Sequence, residues 1–349
     1  MSEPTSHPPA RGRATLPGIS TRAWEHPADR GALVAMRRLR GFDTLLKAMS
    51  GLMRERGLRL QLLGSAVRVD DRQFERMHRL LQEACTTLDA PAVPEMYVSA
   101  SPFLNASCVG MDKPVIILNS ALVDLLSEEE LRFVIGHELG HAMSGHAVYQ
   151  TMLQWMLSLS GLFSAIPAGG IAFRVILVAL MEWSRKSELS ADRAGLLATQ
   201  DPQTAFRVHM QLASAGHLED LDTTQFFAQG LEYDEGGDLR ESFLKAGLLQ
   251  TQTHPFAVVR ATELRRWIDS GDYASYLEGG YPRRADDATA TVSDAAADAA
   301  RSYTVAFRQT GDALGKLLHD VAGVLGGVKG WWDARNRRDD DSGPGAPAP

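Results

Sequence analysis

The chain has 349 residues, of which 44% are hydrophobic and 23% are charged, and it carries a formal net charge of −7. This length allows one large domain or two modest ones, and the apolar fraction supports a packed core. The negative net charge gives no electrostatic reason to expect nucleic acid binding. Two cysteines are too few for a disulfide framework, which fits a reducing compartment.

The N-terminal segment contains Pro, Ser and Arg but no apolar core. It therefore lacks the composition of a secretory signal, and we expect the protein to be cytoplasmic. Residues 1–30 are predicted to be disordered. The segment Ala32–Leu63 is predicted to be rich in helix, and Asp71–Leu88 is predicted to form a further amphipathic helix.

Two short apolar runs, Met96–Ser99 and Val115–Leu118, are bounded by Pro, Ser and Asn, which predicts strands. We expect the second strand to lie beside the cleft of the protein. Either its free edge takes up an extended polypeptide through backbone hydrogen bonds, or the strand is packed inside the core. Together with the helices, these strands predict a mainly α fold with a small β-sheet (α+β).

The next predicted helix carries the most informative motif of the chain, His137-Glu138-Leu139-Gly140-His141. Ser127 and Glu130 are spaced as a capping box that begins this helix. Apolar residues between Leu131 and Leu139 surround the motif, so the helix is predicted to be largely buried. Buried histidines and a buried glutamate need a partner such as a metal ion.

The spacing of this motif predicts a zinc site. Residues four apart lie on one face of a helix, so His137 and His141 can both direct a ring nitrogen at one Zn²⁺. Glu138 lies about 100° around the helix, where it can hold a reacting water without becoming a ligand. The alternative is a surface helix with a polar stripe.

A third protein ligand is needed to complete the site. Ala147 occupies the position of the third histidine in metzincins, and His146 is predicted to lie at the helix end or behind a ligand. Glu188 is the better candidate, and Asp192, four residues later, can hydrogen-bond the outer nitrogen of a ligand histidine. The alternative is a solvated acidic helix edge with Arg193 as its counter-ion. We expect one Zn²⁺ per chain.

The segment Thr151–Trp183 is long and apolar. If His141 and Glu188 bind one ion, both ends of this segment lie on the same side of any membrane. Two spans need about 40 residues plus a turn, and the segment has 33 residues. We therefore predict a helical hairpin that turns at Pro167–Gly170, and that either enters one leaflet or is buried over the cleft.

Further helices are predicted at Gln203–Ala215 and Pro255–Ser270, and they complete a domain over residues 31–282. Residues 283–300 are Ala- and Asp-rich and are predicted to be a linker. The last residues, 336–349, are acidic and then Pro- and Gly-rich, which predicts disorder.

Residues 301–335 are predicted to form an amphipathic helix. Apolar residues within 314–332 follow a heptad-like stripe that ends at two tryptophans flanked by Lys329 and Arg335. The stripe could contact a membrane surface, or it could pack on the domain that precedes it.

The motifs His137-Glu138-x-x-His141 and Glu188-x-x-x-Asp192 together resemble the M48 family of gluzincin metallopeptidases, which includes the HtpX and Ste24 proteases. The resemblance covers roughly Pro94 to Trp267. It extends to Asn105-Ala106-Ser107-Cys108 before Pro114–Leu118, to the trailing His146, and to Thr253-His254-Pro255 with Arg260. It implies a zinc-dependent endopeptidase with a mostly helical catalytic domain and a small sheet beside the active site.

The resemblance also implies site roles beyond the ligands. Glu138 is expected to be the general base, and His254 to hydrogen-bond the oxyanion, with Arg260 fixing the nearby loop. The alternative for His254 is a fourth zinc ligand in a resting state. The expected partner is an unfolded or membrane-associated polypeptide handled in quality control, with contact to the inner face of the cell membrane through 151–183 and 314–332.

A different class of function also fits these residues. A silent module that binds polypeptides around a purely structural zinc is the alternative, although a structural site has no use for Glu138. An exopeptidase is less favoured, because no acidic cluster for a substrate amine stands out in the sequence.

Overall fold

The computed structural model describes residues 12–39, 41–52, 55–163, 167–235, 257–291, 293, 296–305 and 308. It confirms the prediction of a mainly helical fold with a small β-sheet. The helices are α1 (Pro27–Arg37), α2 (Phe42–Leu52), α3 (Glu55–Ser65), α4 (Glu75–Thr87), α5 (Ser120–Leu125), α6 (Glu128–Met143), α7 (His146–Phe163), α8 (Pro167–Thr199), α9 (Pro202–Ser214), α10 (Thr223–Glu235), α11 (Ala257–Asp269) and α12 (Asp272–Leu277). Short 3-10 helices lie at Thr21–Ala23, Leu218–Asp220 and Arg284–Thr289.

The sheet has four strands in the order β1-β2-β4-β3, namely β1 (Ala66–Arg68), β2 (Glu95–Ser99), β3 (Ala106–Val109) and β4 (Val115–Asn119). β4 pairs with β2 in parallel and with β3 antiparallel, so both of its edges are occupied. Of the two alternatives for the Val115–Leu118 strand, the free edge is therefore wrong, and the strand is packed inside the sheet. The outer position belongs to β3, a four-residue strand whose Ser107 and Cys108 gave too weak a pattern to be predicted.

Helix α6 begins as the sequence predicts. The backbone N–H of Ser127 donates to Glu130 Oε2 at 2.8 Å, which completes the capping box at the first turn. Residues Glu130 to His141 are all buried, because α6 packs against α4, α8, α9 and the sheet. The predicted burial of the motif helix is confirmed.

Helix α8 lies unusually close to α6 along their shared face. Gly136 and Gly140 face Ala198 and Ala194, and a methyl group added at Gly140 would lie only 2.5 Å from the Cβ of Ala194. Gly195 approaches the backbone of α6 in the same way, because a methyl group added there would lie 2.8 Å from the carbonyl oxygen of Phe133. Small residues on both helices thus let Glu188 and Asp192 approach the histidines of α6.

The predicted disorder of residues 1–30 is wrong for residues 12–30. Leu16, Ile19 and Trp24 are at most 1% exposed and belong to the main hydrophobic core. The indole Nε1 of Trp24 donates to Ser144 Oγ at 3.0 Å, at the end of α6. Scattered apolar residues without periodicity hid this packing in the sequence, because the segment is held by tertiary contacts rather than by a regular element.

The apolar segment Thr151–Trp183 belongs to two helices, α7 and α8, which pack against each other and against α1 and α2. The predicted turn at Pro167–Gly170 is misplaced. These residues form the start of α8, since proline is tolerated in the first turn of a helix. Residues 164–166, between the helices, lie outside the described residues.

The hairpin has both a buried and an exposed side. Tyr149, Met152 and Met156 of α7 and Ala179 and Trp183 of α8 are buried in a second hydrophobic cluster. Trp155 and Leu157 of α7 remain exposed. Nowhere in the part of the chain that the structure describes is a helix both long and apolar enough to span a membrane.

The remaining C-terminal predictions are covered only in part. The helices predicted at Gln203–Ala215 and Pro255–Ser270 correspond to α9 and α11, whereas α10 was missed. Residues 296–305 are helical. The tail 336–349 and the stripe within 314–332 lie outside the described residues.

Candidate metal centre

Three predicted ligand side chains converge at the interface of α6 and α8. His141 Nε2 lies 3.3 Å from Glu188 Oε1, and His137 Nε2 lies 3.5 Å from Glu188 Oε2. One potential ligand atom from each of the three lies within 4.8 Å of the others. All three side chains are at most 5% exposed, so the acidic pair of α8 is not a solvated helix edge.

Asp192 supports the first of these histidines. Its Oδ1 lies 3.0 Å from His137 Nδ1 and 2.6 Å from a guanidinium nitrogen of Arg260. Because Asp192 engages Nδ1, Nε2, on the side of Glu188, is the ring nitrogen of His137 that can bind a metal ion, which is the arrangement that ligation requires. The structure therefore brings Asp192 to the outer nitrogen that the sequence analysis expected it to contact.

Arg260 joins the two carboxylates of α8 from the side of α11. Its guanidinium lies 3.0 Å from Glu188 Oε2 and donates two hydrogen bonds to Asp192, and it is 5% exposed. Burial alone would lower the pKa of Arg260, but the charges of Asp192 and Glu188 raise it. The same guanidinium outweighs the burial of Asp192 and holds the pKa of that carboxyl well below its usual range.

The counter-ion role that the alternative of a solvated helix edge gave to Arg193 is not observed. Its guanidinium lies over the ring of Trp267, 5.2 Å from the ring centroid, where cation and aromatic face attract each other. Arg260, rather than Arg193, compensates the acidic pair.

The two predicted ligand histidines have different electrostatic surroundings. Burial is the largest effect on His141 and lowers its pKa to about 4, so the ring is neutral near pH 7. Burial also disfavours a charge on His137, but hydrogen bonds with Asp192 and Glu188 outweigh it and raise the pKa of His137 to about 9. The carboxylates of Asp192 and Glu188 thus favour a positive charge, from a proton or a cation, at His137 Nε2.

Glu138 lies beside the ligands and is 2% exposed, with Oε1 4.0 Å from His137 Nε2. Burial, together with the charge of Glu138, raises the pKa of the thiol of Cys108 on β3 well above the ordinary value. A narrow cleft leads to Glu138 and is lined on one side by Leu104, Asn105 and Ala106 at the start of β3. The predicted general base therefore lines the same cleft as the start of the outer strand β3.

Two groups near the centre were not singled out from the sequence. Asp29 of α1 lies 3.3 Å from His146 Nε2, while His146 Nδ1 lies 3.0 Å from His141 Nδ1. His209 of α9 is fully buried, with Nε2 3.6 Å from Asp192 Oδ2. Neither Asp29 nor His209 belongs to a motif, and only the fold brings them within reach of the site.

His254 cannot be assessed, because it lies outside the described residues. Arg260, which the resemblance expects to fix the loop near His254, contacts Glu188 and Asp192 directly. No position for His254 relative to the cleft follows from the described residues.

The donor set fits a divalent cation. Atoms that bind zinc tetrahedrally at about 2.0–2.2 Å lie roughly 3.3 Å apart, close to the separations of Glu188 from the two histidines. When both histidines are neutral, as metal ligation requires, the three buried carboxylates of Glu138, Glu188 and Asp192 meet only the positive charge of Arg260, which leaves a formal charge of −2. A buried excess of negative charge is costly unless a cation balances it.

Two histidines on one helix, joined by a glutamate from a second helix, define the gluzincin class of metallopeptidase sites. A family model described as peptidase family M48 matches residues 71–268. The chain belongs to peptidase family M48 and is a metallopeptidase.

Curated relatives agree with this family. The plastoglobule-localized metallopeptidase 48 of Arabidopsis thaliana is 32% identical over 260 residues, which cover 73% of this chain and 75% of that protein. Protease HtpX of Xanthomonas oryzae pv. oryzae is 24% identical over 273 residues, 69% of this chain and 88% of that protein. The mitochondrial metalloendopeptidase OMA1 of Arabidopsis thaliana is 31% identical over 128 residues, 35% of this chain and 26% of that protein. No solved structure gives a significant match.

Proposed function

We propose that this metallopeptidase is a zinc-dependent endopeptidase whose ion is held by His137, His141 and Glu188. The observation that carries the proposal is the convergence of these three buried side chains, with Glu138 beside them. Two histidines and a glutamate are a donor set typical of catalytic zinc, which keeps a further position open for water or substrate.

Each residue of the site has a distinct task in this proposal. Zinc, when bound, lowers the pKa of a water towards about 7 and polarises the scissile carbonyl. The Glu138 carboxylate accepts the proton of the attacking water and then delivers it to the leaving amine. Asp192 orients His137 through its Nδ1, and Arg260 holds the carboxylates of Asp192 and Glu188 in place. His254 remains a proposal from the family resemblance, as a donor to the oxyanion.

We infer that the substrate adds as an extended strand along β3. β3 is an outer strand of the sheet, and the cleft that reaches His137 and Glu138 is lined by residues 104–106 at its start. Backbone hydrogen bonds along a strand edge read the main chain rather than the side chains. This mode suits unfolded or extended polypeptides, and it supports a role in the quality control of unfolded or membrane-associated proteins at the cytoplasmic face of a membrane.

The alternative of a silent binding module with a structural zinc is not favoured. The family and the named relatives are peptidases. Glu138 lies beside the ligands at 2% exposure, and a buried carboxylate without a chemical task would only cost stability.

Metal analysis combined with casein digestion tests the proposal. The purified chain is expected to hold one zinc ion and to cleave casein internally, and chelator should stop cleavage until Zn²⁺ is restored. Glu188→Gln should lose the metal. Glu182→Gln is the matched control, because Glu182 is another buried glutamate of α8, paired with Arg185. Full metal content in Glu188→Gln would refute the ligand assignment, and chelator-resistant cleavage would refute the mechanism.

A further inference from the structure

A chain of buried polar groups runs from the metal site to the N-terminal helix. His141 Nδ1 lies 3.0 Å from His146 Nδ1, and His146 Nε2 lies 3.3 Å from Asp29 Oδ2. The three side chains are 3%, 4% and 2% exposed, respectively. The outer nitrogen of His141 therefore contacts a second histidine, which itself contacts a carboxylate from α1.

Only one arrangement of protons satisfies the whole chain when His141 Nε2 acts as a ligand. Its lone pair then points at the metal position, so His141 carries its proton on Nδ1 and donates it to His146 Nδ1. His146 must accept at Nδ1, carry its own proton on Nε2 and donate that proton to Asp29. Asp29 thus determines the tautomer of His146, and His146 determines that of His141.

Asp29 itself is fixed from two further directions. Trp183 Nε1 donates to Asp29 Oδ1 at 2.9 Å, and Ser190 Oγ donates to Asp29 Oδ2 at 2.6 Å. Both residues belong to α8, the helix that carries Glu188 and Asp192. The carboxylate is therefore held by the same helix that supplies the third ligand.

The packing of the rings restricts His146 as well. Its ring lies edge-to-face against His141, with centroids 5.2 Å apart, and against Trp183, with centroids 5.4 Å apart. If Asp29 served only to hold α1 against α8, a buried carboxylate would not be needed, since burying a charge is costly unless each of its hydrogen bonds is satisfied. The carboxylate of Asp29 has a use if it orients His146.

We propose that Asp29 and His146 are positioning residues that hold the proposed ligand His141 in its metal-binding tautomer and orientation. This inference rests on the proposed function, because it takes His141 as a ligand. It gives α1 a role in the metal centre, although α1 lies outside residues 71–268 that match the family model. His137 and His141 are then supported by two separate carboxylates, Asp192 on α8 and Asp29 on α1.

Cobalt binding to the metal-free full chain tests this inference without relying on activity. Co²⁺ is titrated into wild type and variants, and affinity and the visible absorption spectrum of the bound ion are recorded. Asp29→Asn should lower the affinity for Co²⁺ about 10- to 100-fold and change the spectrum, because losses of this size are typical when a group that orients a metal ligand is replaced. His146→Phe, which keeps an aromatic ring against Trp183, should have an effect of the same size.

The energetic coupling between positions 29 and 146 distinguishes a positioning role from a general contribution to stability. If Asp29 acts through His146, the double variant with Asp29→Asn and His146→Phe should bind Co²⁺ no more weakly than the single variant with the lower affinity. His146→Asn keeps an acceptor near His141 Nδ1 and should recover part of the affinity. Met36→Ala is the matched control: it removes a fully buried side chain of α1, so it should lower stability but leave cobalt affinity and spectrum unchanged.

The outcomes distinguish this inference from the proposed function. If His141→Ala still binds Co²⁺ like wild type, the ligand assignment itself fails. If His141→Ala loses Co²⁺ while Asp29→Asn and His146→Phe bind it normally, only the positioning role is refuted. Should Asp29→Asn not fold, His146→Asn and His146→Phe decide the matter, because both leave α1 and its contacts with Trp183 and Ser190 intact.

Discussion

His137 and His141 of the candidate metal centre are each contacted at the outer ring nitrogen. The carboxylates behind them differ in whether the sequence could predict them. Asp192 stands four residues after Glu188, so helical spacing alone predicted that it would face the site. Asp29 stands more than a hundred residues before His141, and no spacing rule connects them. Local periodicity predicts partners on one helix, whereas partners from distant segments depend on tertiary packing.

The position of Glu138 leads to the first prediction at this scale. Glu138→Gln should retain zinc, because Glu138 is not a proposed ligand, but should lose about 10²- to 10⁴-fold in casein cleavage, since an amide cannot accept the proton of water. Metal content and initial rates are measured on the same preparation. Glu130→Gln is the matched control on α6, because glutamine also serves a capping box. Cleavage at the wild-type rate in Glu138→Gln would rule out the assignment of the base.

The contacts of Asp192 give a second prediction. Asp192→Ala removes the acceptor for His137 Nδ1 and leaves Arg260 with Glu188 alone, so zinc affinity should fall about 10- to 100-fold without loss of the site. Competition with a chromophoric chelator measures the affinity. Asp201→Ala is the control: Asp201 caps α9, and its loss should cost about 1 kcal/mol of stability and leave zinc affinity unchanged. Equal zinc affinity in Asp192→Ala and wild type would contradict the role given to Asp192.

At the scale of elements, the site depends on how closely α6 and α8 approach. The sequence predicted α6 from its capping box and apolar pattern, and it placed Glu188 and Asp192 on one face of a second helix by their spacing of four. It did not predict that Gly136, Gly140 and Gly195 form the contact between the helices. A glycine within a helical pattern can have a packing reason, a functional reason or a capping role, and the sequence alone does not distinguish them. It also missed β3, whose four residues are fixed by pairing with β4 rather than by their own preference.

This close approach gives a third prediction. Gly140→Ala puts a methyl group 2.5 Å from Ala194 Cβ, so α8 must shift outwards, at a cost of about 1–3 kcal/mol, and Glu188 shifts with it. Both unfolding free energy and zinc affinity should fall. Gly64→Ala in α3 is the matched control, because no atom lies within 4 Å of the added methyl, and it should raise stability by about 0.5–1 kcal/mol.

A compensating change sharpens this test. Ala194→Gly removes the methyl group that Gly140→Ala would meet, so the double variant should recover zinc affinity relative to Gly140→Ala. Recovery is expected to be partial in stability, because glycine inside a helix costs roughly 0.5–1 kcal/mol relative to alanine. Unchanged zinc affinity in Gly140→Ala would show that the ligand geometry does not depend on this contact.

For the whole molecule, the candidate site unites five helices of the chain. α6 and α8 supply the proposed ligands, α11 supplies Arg260, α7 supplies His146, and α1 supplies Asp29. The order of these helices in the sequence predicts nothing about which of them meet. The N-terminal segment illustrates this limit: residues 12–30 were predicted to be disordered, yet Trp24 is completely buried and hydrogen-bonds Ser144 at the end of α6.

The arrangement of α7 and α8 constrains how the molecule can lie at a membrane. His141 precedes α7 and Glu188 lies within α8, and their side chains meet, so both ends of the hairpin are on the same side of any bilayer. The base of the hairpin is also buried against α1 and α2, which leaves less apolar surface for lipid. We therefore expect the connection between α7 and α8 to stay on the same side as the metal centre, with at most contact to one leaflet.

Single cysteines probed in intact cells test this topology. Ala168→Cys, at the start of α8, should react with an impermeant thiol reagent only after the cells are permeabilised. Leu60→Cys is the control, since Leu60 of α3 is 59% exposed, while the native Cys85 and Cys108 are buried. If the reagent labels position 168 but not position 60 in intact cells, the hairpin crosses the bilayer. That result would require membrane-spanning residues beyond Thr151–Trp183, because this segment has 33 residues and two spans need about 40 residues plus a turn.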